Sequence, residues 1–409
     1  MANSNLTKAK RTKNDEFYTQ YSDIQKEVEA YLEYNPDVFR DRVVYCNCDD
    51  PFESNFFRYF VLNFNKIGLK QLITTSYKPS PVANTQLGLF GDDKTLKKSK
   101  GRPKVTANKF IINEVKDIDG DGEFNLKDVA EQLKANKNNE WTPLEGDGDF
   151  RSDESVDLLK QSDIVVTNPP FSLFREYIKQ LVDHEKKFLI IGNLNAITYK
   201  EVFPLLKENK VWLGNNYKVN AGAMFFEIPE KVANLEQVRE VKTNERGEKV
   251  YVTRVQGVRW FTNLDHGRRH QPLPLMTMDD NLKFRKHKEI KGKKSYDNYA
   301  NYSAIEVPFI DAIPSDYEDV MGVPVSFFDK HNPDQFQVVG YEKSYDLRTK
   351  TYPQQLQIGK NGKKSRVTKL NDGAAIKVSV PPEDMTYYVV DNEYYIQAYK
   401  RIFIRHRKK

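Results

Sequence analysis

Apolar positions along this chain switch between two periods. "SDIQKEVEAYLEYN" (22–35) repeats them every three to four residues and reads as an amphipathic helix with Ser22 as N-cap. "RVVYCN" (42–47) is a short apolar run, read as a strand. "SNFFRYFVLNFNKIG" (54–68) returns to helical spacing and stops at Gly68, and "QLITTSY" (71–77) reads as the next strand. The pattern breaks over about 78–138, where "SPVANTQLGLFGDDKTLKKSKGRPK" is polar and reads as an inserted loop. A strand, "NKFIINEVKDI", and a possible helix, "LKDVAEQLKAN", follow it. The alternation resumes with "SVDLLKQ", "DIVVTN", "FREYIKQLVDH", "KKFLIIGN" and "YKEVFPLLKEN", and "VWLG" and "AMFFEIP" are read as completing the sheet.

Strand–helix alternation of this kind predicts an α/β fold, a mostly parallel sheet with helices on both faces. After about Pro229 the texture changes to short β-like runs ("KVYVTRV", "VRWFTNL"), basic loops and many tyrosines. We therefore divide the chain into 1–229 and a smaller α+β region, 230–409.

The 409 residues suffice for two such domains. No apolar run approaches a membrane span, and the polar start "MANSNLTKAKRTKNDEF" has no apolar core of a secretory signal, so a cytoplasmic protein is expected. Cys46 and Cys48, the only cysteines, neither staple a secreted fold nor complete a zinc quartet. The net charge of +6 is concentrated. Lys283, Arg285, Lys286, Lys288, Lys291, Lys293 and Lys294 crowd one stretch, and the chain closes on "KRIFIRHRKK". Such clusters suit a polyanion, although either alone also fits a solvated loop.

The sharpest chemical signal is "SDIVVTNPPFS" (162–172). An apolar strand delivers Asn168 to its carboxyl end, the edge at which open α/β sheets bind ligands. Pro169 forces Asn168 into extended geometry, and Pro169 and Pro170 supply carbonyl acceptors without competing donors. Asn168 adds an amide oxygen and Phe171 a flat apolar face. Two acceptors beside an aromatic surface suit an exocyclic amino group on a heterocycle, such as adenine N6. Holding both hydrogens out of the ring plane frees the nitrogen lone pair, an interaction that strengthens as positive charge develops. This chemistry needs no metal. The plainer alternative is a structural Asn-Pro turn.

"DIVVTNPPFSLF" resembles motif IV of the adenine-N6 DNA methyltransferases. More narrowly, "KNDEFYTQYSDI", "VVYCNCDDP", "GDGDFRSDES", "KKFLIIGNLNAITYKEVF", "WFTNLD" and "MGVPVSFFDKHNP" are similar, in order, to the EcoRI-type adenine-specific DNA methyltransferases. The resemblance implies a Rossmann-like methyltransferase sheet, S-adenosyl-L-methionine as methyl donor and a flipped-out adenine in double-stranded DNA as acceptor. By motif, Phe17, Tyr18 and Thr19 are expected along the methionine part of the donor. "YCNCDDP" occupies the place of the wider class's glycine loop, with Cys46, Asn47 and Cys48 where glycine is usual, and Cys46, Asp49, Asp50 and Pro51 are expected along the donor. Asp49 or Asp50 is expected to meet the donor's ammonium group. No carboxylate ends "QLITTSY" to hold the ribose, so Thr75, Ser76 or Asp49 is the alternative. Asp149 is expected to accept from the donor's adenine and Phe150 to pack on its ring.

Flipping an adenine out of a duplex costs a few kcal/mol. Stacking on Phe171 offsets about 1–3 kcal/mol of it. Arg254, Arg259, Arg268, Arg269, Lys283, Arg285, Lys286, Lys288, Lys293, Lys294 and Asn298 are the candidate DNA contacts. Donor motifs, catalytic motif and C-terminal reader follow one another in the gamma arrangement. A paired restriction endonuclease is a candidate partner, as is a solitary modification role. Transfer to RNA or to a protein Gln, and a catalytically silent DNA- or clamp-binding protein, are the rival readings. Three signals lie in the insert. "QLGLF" (Gln86–Phe90) resembles a peptide that docks on the bacterial sliding clamp, and "KSKGRPK" an AT-hook core. "DIDGDGEFNLKD" (Asp117–Asp128) resembles a calcium loop, for which a tight turn is the better reading.

Overall fold

The computed structural model describes residues 18–48, 54–77, 107–118, 128, 131–132, 138–215, 223–228, 238–243, 249–343, 345–398 and 400–407. Two compact units divide the chain. One spans Met1–Pro204 and Lys210–Gly267, the other Leu205–Asn209 and Arg268–Lys409. The first unit runs past the boundary expected near Pro229, because Val258–Thr262 pairs with the main sheet rather than with anything C-terminal.

In the first unit the strands, in chain order, are β1 (Tyr18–Thr19), β2 (Val43–Cys46), β3 (Gln71–Thr75), β4 (Asn108–Ile112), β5 (Glu140–Pro143), β6 (Ile164–Thr167), β7 (Lys187–Asn193), β8 (Trp212–Leu213), β9 (Ala223–Ile228), β10 (Val238–Thr243), β11 (Lys249–Gln256) and β12 (Val258–Thr262). Eight form one sheet in the order β5-β4-β3-β2-β6-β7-β12-β8. The four central strands are parallel. Antiparallel pairs flank them on both sides. The expected mostly parallel sheet is therefore a mixed one with a parallel centre. β4 lies inside the stretch read as an insert, and returns against β3 instead of crossing over. "AMFFEIP" does not complete this sheet either: β9 pairs with β1 and β11 in a second, antiparallel sheet, β1-β9-β11-β10.

Helices α1 (Tyr21–Tyr34), α2 (Asn55–Leu62), α3 (Asp153–Gln161) and α4 (Phe174–Asp183) accompany the sheet. Side-chain alternation along the strands divides the core. Val44, Cys46, Val166, Leu189, Ile191 and Trp260 join Ile24, Val28 and Tyr31 of α1 and Phe56, Phe57 and Phe60 of α2 in one cluster. On the other parity Phe261 meets Phe174 of α4, ring centroids 5.1 Å apart. A Cβ at Gly192 would come 2.5 Å from the Phe174 ring, so this close helix–strand approach needs glycine. Two helix ends follow from local chemistry. Ser54 caps α2 by accepting from Phe56 N at 3.1 Å and Phe57 N at 3.4 Å. Gly68 ends the following turn at φ +66°. The predicted cap Ser22 is not one: α1 begins at Tyr21, after Gln20.

The second unit is largely strand. One sheet joins β13 (Ile305–Glu306), β14 (Met321–Pro324), β15 (Phe336–Tyr341) and β21 (Arg401–His406). Another joins β16 (Gln355–Ile358), β17 (Lys364–Val367), β18 (Ala375–Val378), β19 (Tyr387–Val390) and β20 (Glu393–Gln397). Helix α5 (Met278–Phe284) is capped by Thr277. Tyrosines 299 and 302 are buried in one core cluster of this unit, and 352, 388 and 395 in the other. Among the described residues no helix is long and apolar enough to cross a membrane.

Candidate functional site

The connection from β2 leads to one side, to β3, whereas β6 leads to β7 on the other. The carboxyl ends of β2 and β6 therefore border a topological switch point, the edge at which open α/β sheets bind ligands. Asn47 and Cys48 follow β2, and Asn168 follows β6.

Hydrogen bonds tie these two ends together. Thr167 Oγ1 donates to the Asn47 carbonyl, and Tyr177 Oη of α4 donates to Asn47 Oδ1. Asn47 is 4% exposed, so both bonds lie in low dielectric, where an unmade one is costly. Asn168 is half-buried, Pro169 buried, and Pro170 and Phe171 half-buried. Phe171 opens a 3-10 turn, Phe171–Leu173, closed by Leu173 N donating to the Pro170 carbonyl at 2.9 Å. That turn uses the Pro170 oxygen and not that of Pro169. Phe171 also packs against the core cluster, which fixes the plane of its ring.

Cys48 has φ +65°, the left-handed region that L residues occupy at a cost. Cys48 thus holds a backbone conformation that glycine would adopt without a steric penalty. Cys46 is fully buried. Asp49, Asp50 and Pro51 lie outside the described residues, as do Phe17, Gln86–Phe90, "KSKGRPK" and most of the Asp117–Asp128 segment. Of that segment, Asp128 Oδ1 accepts from Ile118 N at 2.9 Å. No cluster of three or more His, Cys, Asp or Glu arranged to hold a metal occurs among the described residues.

Two further segments reach the same edge. Tyr18 and Thr19 pair with Glu227 and Phe226 of β9. The Thr19 carbonyl accepts from Asn55 Nδ2 at 2.8 Å, which anchors it at the N-terminus of α2, just past the β2 loop. Thr19 is 3% exposed, and its hydroxyl has no hydrogen-bond partner among the described residues. The "GDGDF" loop meets the end of β3. A Cβ on Gly148 would lie 2.0 Å from the Ser76 carbonyl oxygen.

Asp149 and Phe150 are less open than the sequence implies. Arg151 donates to both Asp149 oxygens, at 2.9 Å from Nε and 2.7 Å from Nη2, and these bonds hold the Asp149 carboxyl below its ordinary range. Phe150 is 4% exposed, its ring 5.0 Å from that of Tyr177 and 5.3 Å beneath the Arg151 guanidinium. Its ring therefore backs Tyr177. Thr75 and Ser76 are buried too. Thr75 shares a hydrogen bond with Tyr45 Oη (3.1 Å), and Ser76 Oγ accepts from Asn108 N (2.9 Å).

The candidate DNA contacts divide by exposure. Arg259 is buried in β12, opposite Gly192, and Arg269 is buried and donates to Asn209. Arg254 and Arg268 are half-buried. Arg285 is held by Asn281 at 2.9 Å and Asp311 at 3.2 Å. Lys283 pairs with Asp279 and Lys293 with Asp297. Lys286, Lys288, Lys294 and Asn298 are exposed. Tyr177 went unread in the sequence, whereas Asn47 and Gly148 lay inside the quoted "VVYCNCDDP" and "GDGDFRSDES" without the contacts made here.

Comparison with known proteins bears on this site. Over residues 5–407 the chain matches the family described as adenine-specific methyltransferase EcoRI. It is 43% identical over 344 residues to the type II methyltransferase M.EcoRI of Escherichia coli, covering 84% of this chain and 91% of that protein. It is 34% identical over 336 residues to the type II methyltransferase M.MpnI of Mycoplasma pneumoniae, covering 82% and 84%. A third relative, the type II methyltransferase M.MgeORF184P of Mycoplasma genitalium, is 35% identical over 337 residues, covering 82% and 85%. No solved structure gives a significant match.

Proposed function

This chain belongs to the EcoRI family of adenine-specific methyltransferases and is a DNA methyltransferase, and we propose that it methylates N6 of an adenine flipped out of double-stranded DNA. The observation that carries the reading is Asn168, at the switch point between β2 and β6, followed by the Pro169 carbonyl and the half-buried ring of Phe171.

S-adenosyl-L-methionine, when bound, supplies an electrophilic methyl group. The chain fits it at the β2 edge. Thr19 offers a buried hydroxyl with no hydrogen-bond partner among the described residues, and the left-handed backbone of Cys48 turns the chain sharply after β2. Tyr18, Thr19, the loop after Cys46 and Asp149 would hold it, Asp149 through the acceptor capacity that Arg151 leaves on Oδ2. Phe17, Asp49, Asp50 and Pro51 join this set by the family motif alone. The sheet is in this reading a Rossmann-like methyltransferase sheet.

The remaining chemistry belongs to the 168–171 corner. Asn168 Oδ1 and the Pro169 carbonyl accept the two N6 hydrogens and turn the nitrogen pyramidal, so that its lone pair leaves conjugation. Phe171 fixes the ring plane by stacking. Both acceptors gain strength as the nitrogen becomes positive, and the proton is then lost to water. No base of tuned pKa is required, because the attacking amine is neutral. The exposed lysines of 286–294 bind duplex phosphates. A paired restriction endonuclease, and clamp docking through Gln86–Phe90, extend the same reading. Incubation with methyl-labelled donor and, side by side, duplex DNA, RNA and protein tests it. The expected product is N6-methyladenine in DNA, and label confined to RNA or protein would overturn the reading.

A further inference from the structure

Phe284 is 69% exposed, at the last position of α5. Its surroundings are not loose. Arg285 is pinned by Asn281 and Asp311. The His287 ring stacks on Phe309 with centroids 3.7 Å apart and planes 10° apart, and pairs with Asp311 at 3.1 Å. Ile290 is 2% exposed, and Gly292 N donates to the Leu282 carbonyl at 3.1 Å. Arg285, His287 and Ile290 thus anchor the segment, and beside these anchors Phe284, Lys286, Lys288, Lys291 and Lys294 stand in solvent. Lys283 and Lys293 have acidic partners. No ion pair engages the other four lysines among the described residues.

A rigid segment that displays an uncovered aromatic ring among uncompensated cations has a specific complement. Phosphates neutralise the cations, and the gap between two base steps takes up the ring. A protein surface would satisfy the ring but would also have to supply a row of carboxylates around it. We infer that Phe284 is a wedge that inserts between base pairs of the duplex, with Lys286, Lys288, Lys291 and Lys294 on the flanking phosphates. This rests on the duplex-DNA reading above and adds to it the apolar group that compensates for lost stacking. Arg285 and His287 are then scaffold, since their polar atoms are engaged within the unit.

The test uses the full chain and unmethylated duplex DNA. In Phe284→Trp the added indole emission, read as the difference from the parent, becomes shielded from acrylamide once anisotropy shows that DNA is bound. Phe284→Ala lowers kcat/KM for methylation by roughly tenfold or more, with an unchanged melting temperature. Lys286→Ala with Lys288→Ala flattens the salt dependence of binding by about two in slope. An indole equally accessible with DNA bound and free overturns the wedge. If the parent forms N6-methyladenine while the indole stays accessible, the wedge falls and the function stands. If the indole is shielded but the parent forms no N6-methyladenine, the wedge stands and the function falls.

Discussion

Replacing Gly148 by Ala probes how the donor-side loop is held. Gly148 has φ +79°, which costs an L residue about 1–2 kcal/mol. Its new Cβ would lie 2.0 Å from the Ser76 carbonyl oxygen and 3.1 Å from Ala107 Cβ. A relaxed carbon–oxygen contact needs about 3.3 Å. The loop must therefore retreat from β3 by more than an ångström, and neither close neighbour can yield as a flexible side chain would. Strain and displacement together should cost about 3–4 kcal/mol. That lowers the melting temperature by roughly 6–16 °C in a unit of this size. Because Asp149 and Phe150 move with the loop, donor affinity falls as well. Differential scanning fluorimetry and isothermal titration with S-adenosyl-L-methionine read the two effects. Gly146→Ala is the control, since nothing lies within 4 Å of a Cβ there. A Gly148→Ala protein that melts and binds donor like the parent would refute the argument.

Cys48→Gly removes the left-handed penalty and should stabilise the protein by about 1 kcal/mol in urea unfolding; a destabilised variant contradicts that. Tyr177→Phe strips a donor from the buried Asn47 amide. It should cost about 1–3 kcal/mol and lower the transfer rate, whereas parental stability would show that the bond contributes nothing. The Glu342 carboxyl, 7% exposed, is pushed up to about 7 by burial, against the Arg401 backbone bond and charge. Its folded form therefore favours the proton. Its contribution, at most about 3 kcal/mol, is fully present below pH ~4.5 and lost as pH rises through about 7. Denaturant titrations at several pH values should show this fall, and Glu342→Gln should flatten it.

Local chemistry was legible where one element contained its own evidence. The apolar run Ile164–Thr167 declared a buried strand and set Asn168 at its carboxyl end. The 54–68 stretch declared helix and a stop at Gly68, while its cap, Ser54, went unread. Pairing partners were not legible. Val258–Thr262 is buried at every position, so it reads as a strand from its residues, but nothing in them names β7 as its neighbour. "AMFFEIP" joins β1 and β11 for equally non-local reasons. Burial of charge was hidden too. Arg269 looks like any basic-loop residue until Asn209, sixty positions away, receives its guanidinium. Left-handed backbone at Cys48 could not be read from a residue type that rarely adopts it.

Methyl transfer by Asn168→Ala examines the mechanism most directly. With donor and duplex both shown to bind as in the parent, removing the amide oxygen should cut single-turnover formation of N6-methyladenine by at least a hundredfold, about 2.7 kcal/mol or more. Transfer at the parental rate would contradict the proposal that this oxygen draws the amino group out of conjugation.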